Sequence, residues 1–259
     1  MTELLHRFAG LISNASPAQI TTDPSLGGEL VLARQDPYTI SFAPFGHVNP
    51  QAKVVLLGLT PGRQQAVNAL LAARRSLTAG LGVEAASKAA KESASFSGPM
   101  RQALVDMLDS IGLHDWLGVR SSLELFNGRA DIVHFTSALR YPVYVDGKNY
   151  SGDRKITSHP LLRGLVSRCL GDEVSRLQQA VWVPLGPWPA ATLRMLAEEG
   201  KLDRSRILDG VPHPSGANNE RIAYFLGRKP RELLSAKTDA ERLDSARASL
   251  VSRVARLTA

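Results

Sequence analysis

The sequence contains a single cysteine, Cys169. It therefore cannot close an intramolecular disulfide, and zinc ribbons and four-cysteine iron-sulfur clusters are excluded with it. Long apolar runs are also missing. The longest, such as Val54 to Leu57, stop quickly at Gly or Pro, far short of the ~20 residues a membrane span requires. The first residues, Met1 to Phe8, carry an acid at Glu3 and no extended apolar stretch before a small-residue cleavage site, so they do not read as a signal peptide. There is no P-loop and no cluster of Asp and Glu suited to Mg²⁺. These absences lead us to expect a soluble, cytoplasmic protein with no metal and no cofactor.

What is present is the composition of an ordinary globular chain: 259 residues, 44% hydrophobic and 21% charged. That is enough for one large domain with a substantial core, and it fits neither disorder nor a coiled coil. The charge is uneven. Lys plus Arg outnumber the acids 31 to 24, and residues 201–259 hold 12 basic and 7 acidic side chains, which is +5 of the net +7. A basic balance of this kind makes polyanions plausible partners through counterion release.

Periodicity and breakers divide the chain into alternating strands and helices. An amphipathic helix is expected from the start to about Asn14, followed by irregular approach structure over 15–50. Lys53 to Leu59 reads as a fully buried, parallel-type strand running into Thr60-Pro61-Gly62. Residues 65–94, rich in Ala, Leu and Lys, read as an inserted helical hairpin broken at Gly80 and Gly82. A second strand is expected over Asp131–Ser137, a loop dense in Tyr, Asn and Gly over 141–152, and a helix over His159–Leu170. Ala180–Gly186 reads as a third strand, Pro189–Glu199 as a helix, and Arg206–Leu208 as a short fourth strand before Val211-Pro212-His213-Pro214-Ser215-Gly216. After Asp239, Leu243, Ala246, Leu250, Val254 and Leu257 form one apolar helical stripe flanked by Arg242, Arg253 and Arg256. The fold class this implies is α/β: a three-layer α/β/α sandwich around a mostly parallel sheet of about four strands, forming a single domain. Its core would cover about 40–226, with an approach segment 1–39 and a C-terminal helix about 239–257. Any site would lie at the strand C-termini.

Two loops stand out there. Each could be a simple turn, but both follow predicted strands and both carry residues suited to chemistry. Gly58-Leu59-Thr60-Pro61-Gly62 and His213-Pro214-Ser215-Gly216, in that order, resemble the first and second motifs of the uracil-DNA glycosylase superfamily. Phe96-Ser97-Gly98-Pro99-Met100, the strand Ile132–Ser137, and Pro184-Leu185-Gly186 are similar to the intervening segments of its iron-sulfur branch.

The resemblance implies base excision from DNA, with uracil or another damaged base as substrate and a monomer as the working form. It places Phe96 against the face of an extruded base and gives His213 the role of donor to the departing base anion. Backbone groups near Pro61 and Gly62 would meet the base edge, and Ser215 and Gly216 the DNA phosphates. Ala217 falls in the slot where the family inserts a larger wedge. The chain also departs from the family. Thr60 replaces the usual Asp or Asn, and Leu59 the branch's Glu, so the loop carries no carboxylate and Thr60 could only position a water. Ser137 replaces an Asn that reads uracil with both ends of its amide. Cys169 alone cannot hold the branch's cluster. Asp146 or Asp153 could supply a substitute base. Two other classes remain in view: a noncatalytic relative that binds damaged or single-stranded DNA, and a hydrolase of small phosphate esters.

Overall fold

The computed structural model describes residues 3–94 and 99–258 of the chain. Phe96 lies outside the described residues. Among the described residues seven strands occur in order: β1 (Val31–Gln35), β2 (Tyr38–Ser41), β3 (Val54–Gly58), β4 (Val133–Ser137), β5 (Val143–Val145), β6 (Lys148–Asn149) and β7 (Val181–Pro184). They form two sheets. A three-stranded parallel sheet has the order β4-β3-β7, and a separate antiparallel sheet has the order β1-β2-β5-β6. The architecture is mixed α/β. Among the described residues, no helix is long and apolar enough to cross a membrane.

Every residue of β3 is buried, as expected of a central strand covered on both faces. Its partner β7 runs parallel in the register Val54↔Val181 through Leu57↔Pro184. The expected fourth strand shrinks to one bridge. Ile207 pairs with Trp182, and the Leu208 N–H donates to the Trp182 carbonyl at 2.8 Å. The cause is local: the Asp203 side chain caps a 3-10 turn at Arg204–Arg206, and Gly210 turns the backbone away at φ +125°.

The antiparallel sheet corrects two expectations. Residues 15–50 are not merely irregular, because they hold the helix Pro17–Thr22 as well as β1 and β2. The Tyr- and Asn-rich loop over 141–152 is a hairpin, β5 to β6, closed by Asp146 and Gly147, both at positive φ. An Asp-Gly pair in this conformation matches the right-handed twist of its flanking strands. The expected helix over His159–Leu170 begins at Pro160 and passes at Val166 into a π-helical stretch that ends at Leu170.

By its internal contacts the chain forms two compact units, each assembled from three separate segments. The first comprises Met1–Val48, Leu59–Ser95 and Phe135–Glu173; the second comprises Asn49–Gly58, Phe96–His134 and Val174–Ala259. In the first, the helices Glu3–Asn14, Arg63–Thr78 and Gly82–Ala94 pack together, and Phe8 meets Phe42 with ring centroids 5.0 Å apart. Its interior holds charge as well. Arg140, 5% exposed, donates to the Glu173 carboxylate at 2.8 Å and to the Cys169 carbonyl, while the buried Lys91 ammonium donates to the Phe45 and His47 carbonyls. Burial lowers the Lys91 pKa to about 8. In the second unit the C-terminal helix Ala240–Thr258 buries Leu250 and Val254, and it packs against the helix Asn219–Phe225.

Candidate functional site

In the first unit, the loop that follows β3 is held by its own hydroxyl. Thr60 Oγ1 donates to the Tyr141 carbonyl at 3.0 Å and accepts the Val143 N–H at 3.1 Å. The hydroxyl proton is thus committed, and one lone pair is left that could receive a hydrogen from water. Pro61 is buried and has no N–H. The Gly62 N–H donates to Gln65 Oε1 at 2.9 Å, and the next amide, Arg63, donates to Asn149 Oδ1 at 3.0 Å. A side chain at Gly62 would press on that asparagine, since an added Cβ would lie 3.3 Å from Asn149 Nδ2.

Ser137 is the last residue of β4 and is half-buried. Of the two candidate carboxylates, Asp146 is exposed in the hairpin turn, while Asp153 accepts from the Tyr150 hydroxyl at 3.0 Å and from the Lys155 N–H at 2.7 Å. Asp153 therefore caps a turn.

In the second unit, β7 leads through Leu185 to Gly186, whose φ of +93° suits glycine and whose N–H donates to the Val211 carbonyl. A Cβ at Gly186 would stand 3.4 Å from the Cβ of His213. The imidazole is half-buried, and burial lowers its pKa below the usual 6.5, which keeps it neutral at pH 7. The Ser215 N–H donates to His213 Nδ1 at 3.2 Å. A nitrogen that accepts carries no proton, so the proton of the neutral ring resides on Nε2. His213 is thereby a fixed N–H donor. Ser215 begins the 3-10 turn Gly216–Asn218, which leads into the helix Asn219–Phe225, and Gly216 and Ala217 are exposed.

Sequence reasoning did not single out Gln65, Asn149 or Asn218, the side chains that fasten these loops. Asn218 Nδ2 donates to Ser215 Oγ at 3.2 Å. Its position three residues after a serine at a turn was the available signal. Among the described residues, no group of three or more His, Cys, Asp or Glu is placed to hold a metal ion. A cavity of about 580 Å³ in the first unit, lined by residues including Leu11, Ala15, Ala18 and Leu26, includes none of the candidate residues.

Compared with curated proteins, the chain is 31% identical to the uncharacterized protein YoxB of Bacillus subtilis (strain 168) over 232 residues, which is 88% of this chain and 89% of that protein. No family model matches the chain, and no solved structure matches it.

Proposed function

The chain belongs to the family of Bacillus subtilis YoxB, and we propose that it is a divergent DNA glycosylase of the uracil-DNA glycosylase superfamily, acting on uracil or another damaged base. The observation that carries this reading is the state of His213: a neutral imidazole with Nδ1 occupied by a backbone N–H and Nε2–H left to donate. It sits in a His-Pro-Ser-Gly loop, and Gly58-Leu59-Thr60-Pro61-Gly62 precedes it in the order the superfamily uses. On this reading the parallel sheet is the centre of a three-layer α/β/α sandwich, and the protein works in the cytoplasm as a monomer on DNA.

The reaction adds water across the bond between the sugar C1′ and the base nitrogen. The base leaves as an anion and the sugar passes through an oxocarbenium-like state, so a donor aimed at the base oxygen acts mainly in the transition state. His213 supplies that donor. Thr60 presents its remaining lone pair to the attacking water, and no carboxylate in this loop takes the water's proton, which implies slow turnover. Phe96 stacks on the base and Ser137 meets its edge with a single hydroxyl, a less discriminating reader than an amide. The Gly62 N–H becomes available to the base when Gln65 releases it; Ser215, Gly216 and Ala217 lie along the phosphates.

The test is abasic-site formation on a panel of oligonucleotides carrying uracil and other damaged bases. Wild type should release at least one of these bases, and His213→Ala should lower that release by ~10²-fold or more with DNA binding retained. Undiminished release by His213→Ala would refute the assigned role. The commitment of the Thr60 proton to Tyr141 favours a second reading, a noncatalytic binder of damaged or single-stranded DNA. Preferential binding to damaged DNA with no base released by wild type would establish it.

A further inference from the structure

A line of hydrogen bonds extends beyond His213 in the second unit, and its directions are fixed by chemistry. Arg221 NH1 donates to Asn218 Oδ1 at 2.7 Å. A guanidinium can only donate, so the amide of Asn218 must turn its oxygen toward Arg221 and its NH₂ the other way. That NH₂ donates to Ser215 Oγ, while the Asn218 N–H donates to the Ser215 carbonyl at 2.9 Å. Ser215 is gripped at both its side chain and its carbonyl, and its own N–H falls on His213 Nδ1. Arg221 is anchored in turn, through NH2 to the Lys237 carbonyl. The segment that holds Lys237 is pinned to the same helix by Glu220, which accepts from Lys229, from the Ser235 N–H and hydroxyl, and from the Thr238 hydroxyl.

We infer that Asn218 and Arg221 are positioning residues that set the sense of two donors, holding His213 as an Nε2–H donor and Ser215 as an O–H donor. The second half follows from the first contact. With the Asn218 NH₂ directed at Ser215 Oγ, the serine proton must point elsewhere, toward an acceptor such as a phosphodiester oxygen. Neither residue touches a base on this account; both act through Ser215. The inference rests on the proposed function only for what the two donors meet, a base anion and a DNA phosphate. The proton positions are properties of the protein alone.

The experiment is ¹⁵N NMR of the full chain with labelled histidine and no DNA, the His213 signals being assigned by their disappearance in His213→Gln. Wild type should show one nitrogen without a proton, Nδ1, and one with, Nε2. Asn218→Ala and Arg221→Met should lose that single tautomer and show averaged nitrogen shifts. In Asn218→Asp the carboxylate accepts from Arg221 and the Ser215 hydroxyl turns its proton onto it, so the sense at Ser215 is reversed while its side chain stays held, and the His213 pattern should lie closer to wild type than in Asn218→Ala. Arg221→Lys, which keeps a donor, should recover much of the wild-type pattern, which a general loosening of the fold would not explain. A proton on Nδ1 in wild type would overturn the inference, as would an unchanged Nε2–H tautomer in both Asn218→Ala and Arg221→Met. Should Asn218→Ala fail to fold, Arg221→Met and Arg221→Lys decide the matter, because Arg221 is exposed. A wild type that releases no base from any oligonucleotide would end the glycosylase reading and leave these NMR outcomes unaltered.

Discussion

An imidazole can stand as a cation or as a neutral N–H donor, and burial together with the Ser215 amide selects the second form at His213. The same burial makes a prediction about acid stability. His213 and His47 both have pKa values lowered by desolvation, His47 with a further contribution from Lys91. The unfolded chain then takes up protons near pH 6.5 before the folded chain does. Stability from these groups is complete above that pH and is lost as pH falls from about 6.5 through the folded values. Urea midpoints should decline over that interval, and His47→Gln and His213→Gln should flatten the decline. An equally steep slope in both variants would assign it to other groups. Asp23 and Glu220, whose carboxyls are held below their usual range by hydrogen bonds, act only at lower pH. Thr60 gives a second expectation. Thr60→Val leaves the Tyr141 carbonyl and the Val143 N–H unpaired and should cost ~1–3 kcal/mol in urea unfolding, while Thr60→Ser should cost less. Equal losses would mean that the hydroxyl does not hold the loop. Thr60→Asp should also destabilise, because a carboxylate cannot donate to Tyr141.

The C-terminal helix meets the loop before His213 at Gly210. A Cβ there would lie 2.9 Å from the Cβ of Ala246, at a φ of +125° that side chains rarely adopt. Gly210→Ala should therefore cost ~1–3 kcal/mol through overpacking and strain, and Leu250→Ala, a fully buried truncation, ~2–5 kcal/mol by denaturant unfolding. Values near zero would show that this helix is not firmly docked. Its stripe was legible because Leu250 and Val254 recur at helical spacing, and β3 because four large apolar residues in succession need cover on both faces. The antiparallel sheet was harder to see. The half-buried to exposed β1 and the two-residue β6 carry no alternation of apolar and polar residues. Only Asp146-Gly147 after Val143-Tyr144-Val145 announced a hairpin. The two candidate loops could be read from Pro-Gly and His-Pro-Ser. Their fastenings could not, since Asn149 reaches Arg63 across 86 residues of sequence and Tyr141 reaches Thr60 across 81.

At the scale of the whole molecule, the +7 charge predicts DNA affinity that falls steeply as salt is raised from about 50 to 200 mM. Unchanged anisotropy titrations across that range would contradict it. Several of the C-terminal arginines are already paired, Arg228 with Asp106, Arg231 with Glu241 and Arg253 with Asp209. Arg242→Gln with Arg256→Gln should accordingly reduce the salt slope more than Arg253→Gln. The interleaving of the two units has a consequence for how the protein is made. All segments of the first unit have been translated once Glu173 is added, but the second needs both Asn49–Gly58 and the final stretch to Ala259. β3 therefore leaves the ribosome long before β7, its partner, has been translated. Throughout that delay a wholly apolar strand has no mate from its own sheet on the β7 side, so production of this protein should depend on chaperones that shield nascent chains, and slowing elongation between the two strands should lower its soluble yield.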